Sequence, residues 1–187
     1  MTVNLGEEIV SAYLQYIKGC EFVQQNLYTA DVQGEIDVVG IDLETKTLYV
    51  CEVAVHLVTG LQYVKDNQPN NVNKLTEKFS RDIEYANKFF PDYNKHFMLW
   101  SPIVRTSGDR AKFNQMNDLD EIKENIKKKY DVIIEFIVNE KFATSLTELR
   151  NYAKSETKDL KSPVLRLMQV EEYLKKHLGK MSKKSDD

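Results

Sequence analysis

Two neighbouring apolar segments, residues 36–41 and 48–55, constrain the fold of this chain more than any other part of its sequence. Both are rich in β-branched and aromatic residues, and residues 42–46 between them have the composition of a tight turn. Each segment is apolar at odd and at even positions, which predicts strands that are covered on both faces. We therefore expect a hairpin at the centre of a sheet.

Two carboxylates, Asp37 and Glu52, interrupt this apolar hairpin. Side chains alternate along a strand, so Asp37 shares a face with Val39 and Glu52 shares one with Val50. Antiparallel pairing about the turn would place the two acids nearly level with each other. Neighbouring carboxylates repel each other, and a hard divalent cation bound through their oxygens commonly offsets this repulsion. The sequence thus predicts a metal site for Mg²⁺ or Mn²⁺.

A third acid, Glu7, points towards the same region. The apolar spacing in residues 5–17 predicts an amphipathic helix. At about 100° per residue, Glu7 lies at the edge of the apolar stripe beside Leu14, whereas Glu8 lies on the polar face. We expect Glu7 to lean towards the sheet.

The order of these features resembles the PD-(D/E)XK nuclease superfamily. Glu7 in a first helix, the sequence Gly34-Glu35-Ile36-Asp37 and Glu52 after an apolar strand match that family's acidic positions. The resemblance covers residues 4–104 and is greatest to the small branch that contains archaeal Holliday-junction resolvases and bacterial resolvase-like proteins. It implies that Asp37, Glu52 and the backbone carbonyl of Val53 bind Mg²⁺ or Mn²⁺. Glu7 would assist from outside the ligand shell or bind a second ion.

One position departs from the family pattern. The family motif ends in Glu-x-Lys, whereas this chain has Glu52-Val53-Ala54, so alanine stands where the family has lysine. In the family that lysine positions the attacking water and supports developing negative charge, and alanine has no donor for either task.

Four polar residues are candidates to replace the motif lysine: we expect His56 and Lys74 to be catalytic, and Lys78 and Gln62 are further candidates. His56 shares a strand face with Glu52 and could donate a proton. Lys74 and Lys78 lie early in the next predicted helix, but both are off its apolar stripe, so a solvated position is the simpler expectation. A lysine amine or imidazole near both carboxylates would favour retained catalysis.

Each acid also has an ordinary structural interpretation. Glu7 could be an N-terminal helix acid favoured by the helix dipole, and Asp37 could cap a turn. Glu52 could form a buried pair with a lysine. Acids that are scattered, or each neutralised by its own cation, would argue against a metal site.

The remaining sequence patterns predict an α/β fold. The order α-β-β-β-α-β, followed by α-β and C-terminal helices, indicates a mixed central sheet flanked by helices, as in a restriction endonuclease-like core. We expect residues 1–140 to form this core, and residues 141–180 to form helices that pack on it or mediate oligomerisation. Ser145-Leu146-Thr147-Glu148 is a candidate capping box, and residues 181–187 are predicted to be a disordered tail.

Composition limits the classes of protein that fit. The chain has 187 residues, 42% hydrophobic and 29% charged, which is typical of one globular domain. No apolar run approaches the ~20 residues needed to span a bilayer, and we find no signal-peptide pattern. Two cysteines and these features favour the cytoplasm. The net charge of −3 argues mildly against tight non-specific DNA binding.

Two hypotheses about function follow. The first is a metal-dependent DNA endonuclease that hydrolyses phosphodiester bonds, with duplex or branched DNA as its substrate. The second is a catalytically inactive nucleic-acid-binding or assembly protein that retains the nuclease fold, and Ala54 is the feature that favours it. Junction resolution would require a homodimer that presents two active sites.

Overall fold

The computed structural model describes residues 4–29, 34–107 and 113–185. The helices in these ranges are α1 (Leu5–Tyr16), α2 (Asn71–Phe89), α3 (Gln115–Tyr130), α4 (Glu140–Ser155) and α5 (Pro163–Ser185). The strands are β1 (Phe22–Thr29), β2 (Gly34–Asp42), β3 (Thr47–Val53), β4 (Val64–Lys65), β5 (Gln68–Pro69), β6 (Asn94–Ser101) and β7 (Ile134–Val138). Among the described helices, none combines the length and the apolar character required to cross a membrane.

The main sheet of the described residues has five strands in the order β1-β2-β3-β6-β7. Strands β1, β2 and β3 pair antiparallel, whereas β6 pairs parallel to both β3 and β7. Helix α2 lies in the connection between β3 and β6, because a parallel pair needs a long crossover. The sheet is therefore mixed, and β3 is its central strand, which confirms the predicted position of the hairpin.

Helices cover both faces of the sheet. On one face, α1, α4 and α5 pack over sheet residues that include Val38, Cys51 and Trp100. On the other face, α2 and α3 pack over residues that include Val50 and Leu99. The predicted α/β class and the order of core elements are confirmed. The C-terminal helices α4 and α5 pack on the core through buried side chains such as Leu149 and Leu165.

The start of α4 was predicted incorrectly. Ser145 is not a cap, because α4 already begins at Glu140 and the Ser145 hydroxyl donates to the carbonyl of Lys141 at 3.1 Å inside the helix. Asn139 precedes the helix with φ of 50°, and its side-chain amide exchanges hydrogen bonds with the backbone of Val104 at 2.8 and 3.0 Å. The predicted tail falls partly on α5, which continues to Ser185, and residues 186–187 lie outside the described residues.

Candidate active site

The hairpin register places Asp37 and Glu52 side by side. Val38 pairs with Cys51, so the next position of each strand brings Asp37 level with Glu52. At Asp37 the backbone ladder gives way to a side-chain contact, because the Asp37 Oδ2 atom accepts a hydrogen bond from the backbone N–H of Val53 at 2.7 Å. This bond fixes the Asp37 carboxylate at the open end of the hairpin.

A lysine from α2 lies between these two acids. The Nζ atom of Lys78 is 3.4 Å from each carboxylate oxygen of Asp37 and forms an ion pair with Oε2 of Glu52. The three side chains are largely shielded, with exposed fractions of 14% for Lys78, 15% for Asp37 and 0% for Glu52. A single ammonium group therefore contacts both carboxylates. Lys78 belongs to helix α2, whereas Ala54, at the position of the family's lysine, directly follows β3.

Burial controls the protonation of this cluster. Desolvation of the buried carboxyl group raises the pKa of Glu52 well above its ordinary value, and repulsion from Asp37 and Asp82 adds to the effect. Desolvation would lower the pKa of Lys78, but the combined attraction of Glu52 and Asp37 outweighs it and raises that pKa. Lys78 thus remains a cation at neutral pH.

A fourth acid, Asp82, belongs to the cluster and was not identified from the sequence. Asp82 is buried on α2, one turn after Lys78. Burial raises its pKa to about 7, while interactions with Glu52, Lys78 and Arg81 act in the opposite direction. A signal was present in the sequence, because Asp82 follows Phe79 by three residues and precedes Ala86 by four, which places a charge within the apolar stripe.

Glu7 interacts electrostatically with Asp37 but is held by hydrogen bonds of its own. Its Oε1 atom accepts a hydrogen bond from Asn4, and its Oε2 atom accepts one from the Asn26 amide at 2.8 Å. Burial raises the pKa of Glu7, and repulsion from Asp37 contributes in the same direction. Within the described residues, no group of three or more His, Cys, Asp or Glu side chains is arranged to hold a metal ion. The structure thus joins Asp37 with Glu52, and it holds Glu7 in a separate hydrogen-bond network.

The other predicted site residues are dispersed. His56, Gln62 and Lys74 are all exposed, and Lys74 lies one turn before Lys78 on α2. Ala54 is buried in the same apolar cluster as Leu75 and Phe79 of that helix. Lys78, one of the four candidates to replace the motif lysine, is the residue that contacts both carboxylates.

The donors present fit a hard divalent cation. Asp37 and Glu52 supply carboxylate oxygens, which Mg²⁺ prefers, and two carboxylates suffice because Mg²⁺ retains several waters. Glu52 already forms an ion pair with Lys78 through Oε2 and a side-chain hydrogen bond with Asp82. Repulsion from Asp37 and Asp82 still raises the pKa of Glu52, and a divalent cation bound between these acids would offset that repulsion.

Comparison with known proteins gave no relatives: no protein-family model, no curated protein and no solved structure matches this chain.

Proposed function

We propose that this protein is a metal-dependent DNA endonuclease with a restriction endonuclease-like fold. The observation that carries the proposal is the contact of Lys78 with both Asp37 and Glu52. Lys78 thus supplies an ammonium group beside two candidate metal ligands, although the position that corresponds to the family's lysine is occupied by Ala54. The order of the core elements and the mixed sheet support the same fold.

In this proposal, Asp37 and Glu52 would hold one Mg²⁺ or Mn²⁺ ion, and the resemblance adds the carbonyl of Val53 as a further ligand. When bound, the ion supplies Lewis-acid polarisation of the phosphodiester and a lowered pKa for a coordinated water. The Val53 N–H orients Asp37 through the 2.7 Å hydrogen bond. Glu7, held by Asn4 and Asn26, contributes negative charge from outside the ligand set.

Lys78 acts in this mechanism as a donor and a fixed charge. An ammonium group has three donors and no acceptor, and the raised pKa of Lys78 keeps it protonated. It therefore cannot accept a proton from the attacking water at neutral pH. It can orient that water and stabilise the negative charge that develops on the phosphate oxygens.

A cleavage assay on the full chain tests this proposal. Plasmid, single-stranded and four-way-junction DNA are incubated with the protein and Mg²⁺, Mn²⁺ or EDTA. Asp37→Asn and Glu52→Gln remove the ligand charges, and Glu44→Gln is the matched control, because Glu44 is an exposed acid in the turn at the opposite end of the same hairpin. We expect metal-dependent cleavage by the wild type and the control, and loss of at least about 100-fold in both site variants. Equal cleavage by all four proteins, or none by any of them, would overturn the proposal.

A second candidate function is favoured by one observation. Glu52 is completely buried and is already paired with Lys78. An ion pair with a purely structural role would have the same features. A nucleic-acid-binding or assembly protein without catalysis would keep such a pair. In the same assay it would retard DNA with no cleavage in any metal, and Asp37→Asn would leave that binding unchanged.

A further inference from the structure

The C-terminal helix α5 has a second apolar face, opposite the one that packs on the core. Its buried face consists of Val164, Leu165, Met168 and Gln169, which contact the rest of the domain. The opposite side carries large apolar side chains that are half or more exposed: Leu167 63%, Val170 50%, Leu174 53%, Leu178 52% and Met181 56%. We call these five residues the α5 stripe. Solvent-facing helix positions are normally polar, so a continuous apolar stripe marks an interaction surface.

The spacing of the α5 stripe is that of a helix-packing seam. Its members are separated by three, four, four and three residues, so they lie on one side of the helix within about 80° at 100° per residue. Between Val170 and Met181 every residue except Glu172 is exposed, which means that this part of the helix extends past the core. A projecting helical segment of this length is marginally stable in water by itself and gains stability from a packing partner.

The charges beside the stripe indicate what that partner is. Glu171 and Lys175 lie on the same flank of the stripe, with the acid nearer the N-terminus. When two copies of a helix pack antiparallel about a two-fold axis, each flank faces its own equivalent in reverse order. Glu171 of one copy would then lie beside Lys175 of the other, twice in each pair. At present Glu171 pairs with Arg150 at 3.7 Å, and both of these side chains are exposed, so this pair exchanges at little cost. Lys175 is 65% exposed and pairs with Glu172 of its own helix at 3.2 Å, a side chain that is 13% exposed.

We propose that the α5 stripe binds a second copy of this chain in an antiparallel pair of α5 helices, with the two-fold axis near Leu174. Leu174 then packs against its own equivalent, and Leu167 of each copy packs against Met181 of the other. The stripe extends over about 21 Å of helix, which is short for an interface of roughly 1,600 Å². We therefore expect a reversible dimer with a Kd of about 1–100 µM. The inference is independent of the chemistry at Asp37.

Sedimentation equilibrium of the full chain tests the pair directly. Between about 1 and 200 µM the wild type is expected to pass from monomer to dimer. Leu174→Glu places two carboxylates at the axis and should raise the Kd more than about tenfold. Ile133→Glu is the control, because Ile133 is 62% exposed but lies outside α5 and should leave the Kd unchanged. Both variants change exposed side chains, and circular dichroism checks that each is folded.

Cysteine cross-linking tests the direction of the two helices. The native Cys20 and Cys51 are buried, so engineered surface cysteines can be oxidised selectively. Leu174→Cys should form a disulfide with its equivalent, and Leu167→Cys should cross-link to Met181→Cys in a mixture of the two variants. Three results would overturn the proposal: a wild-type monomer at every concentration, self-cross-linking of Leu167→Cys in preference to the mixture, or binding to phosphatidylcholine–phosphatidylserine vesicles by a chain that does not dimerise.

Discussion

Lys78 approaches both oxygens of the Asp37 carboxylate equally, at 3.4 Å, from a helix that packs on the face of the sheet occupied by Val50 and Ala54. The ion pair with Glu52 makes the same ammonium group a bridge between two strands. Because the buried Lys78 contacts two acids, its substitution is expected to affect the stability of the fold as well as the proposed chemistry. The two contributions can be separated by experiment.

Replacement of Lys78 by methionine should destabilise the protein at neutral pH. The variant leaves Glu52 buried without its cation, and breaking a buried pair in this way costs about 3–5 kcal/mol of unfolding free energy. Lys74→Met is the matched control, because Lys74 is exposed one turn earlier on the same helix and should change the unfolding free energy by less than about 0.5 kcal/mol. Urea denaturation at pH 7 measures both values. Equal midpoints for the two variants would mean that the Lys78 contacts contribute nothing to stability.

The pH dependence of stability should report the buried acid Asp82. Its pKa is raised to about 7 in the folded state, so the folded protein retains a proton that the unfolded chain releases near pH 4. This favours the folded state below about pH 4, and the advantage is lost as the pH rises through about 7. Asp82→Asn removes the titrating group, so we expect a flatter profile of unfolding free energy between about pH 4 and 7. A variant profile parallel to that of the wild type would assign the dependence to other groups.

The hairpin and its two acids were predictable because strand alternation and the turn at residues 42–46 are local properties of the sequence. The contact of Lys78 with both acids was not predictable. A helical wheel gives the direction of each Cα–Cβ bond but not how far a four-carbon side chain reaches. Lys78 follows Leu75 by three residues, close enough to the stripe for its stem to bend over the sheet. The start of α4 at Glu140 was missed for a different reason: the Asn139 side chain hydrogen-bonds to Val104, which is a tertiary contact.

Gly6 should be required for the close packing of α1 against the end of β3. A Cβ atom on Gly6 would lie 2.9 Å from Cγ1 of Val53, the last residue of β3, and 2.5 Å from Cγ2 of Val55, two residues further on. Gly6→Ala is therefore expected to lower the unfolding free energy by about 1–3 kcal/mol. Gly179→Ala is the opposite case, since no atom lies within 4 Å of its added Cβ on the α5 helix, and alanine there should stabilise the helix by up to about 1 kcal/mol.

Thermal denaturation of the two glycine variants checks this pair of expectations. The melting temperature should fall for Gly6→Ala and should hold or rise for Gly179→Ala. A Gly6→Ala protein as stable as the wild type would show that α1 does not need this close approach to β3.

The proposed nuclease activity is tested most directly at Lys78. The decisive measurement is the initial rate of plasmid nicking in Mn²⁺ by the wild type, Lys78→Met and Lys74→Met, each confirmed as folded by circular dichroism at the assay temperature. We expect Lys74→Met to nick DNA at the wild-type rate and Lys78→Met to be at least about 100-fold slower, since it lacks the donor that supports the phosphate charge. Nicking by folded Lys78→Met at the wild-type rate would contradict the account.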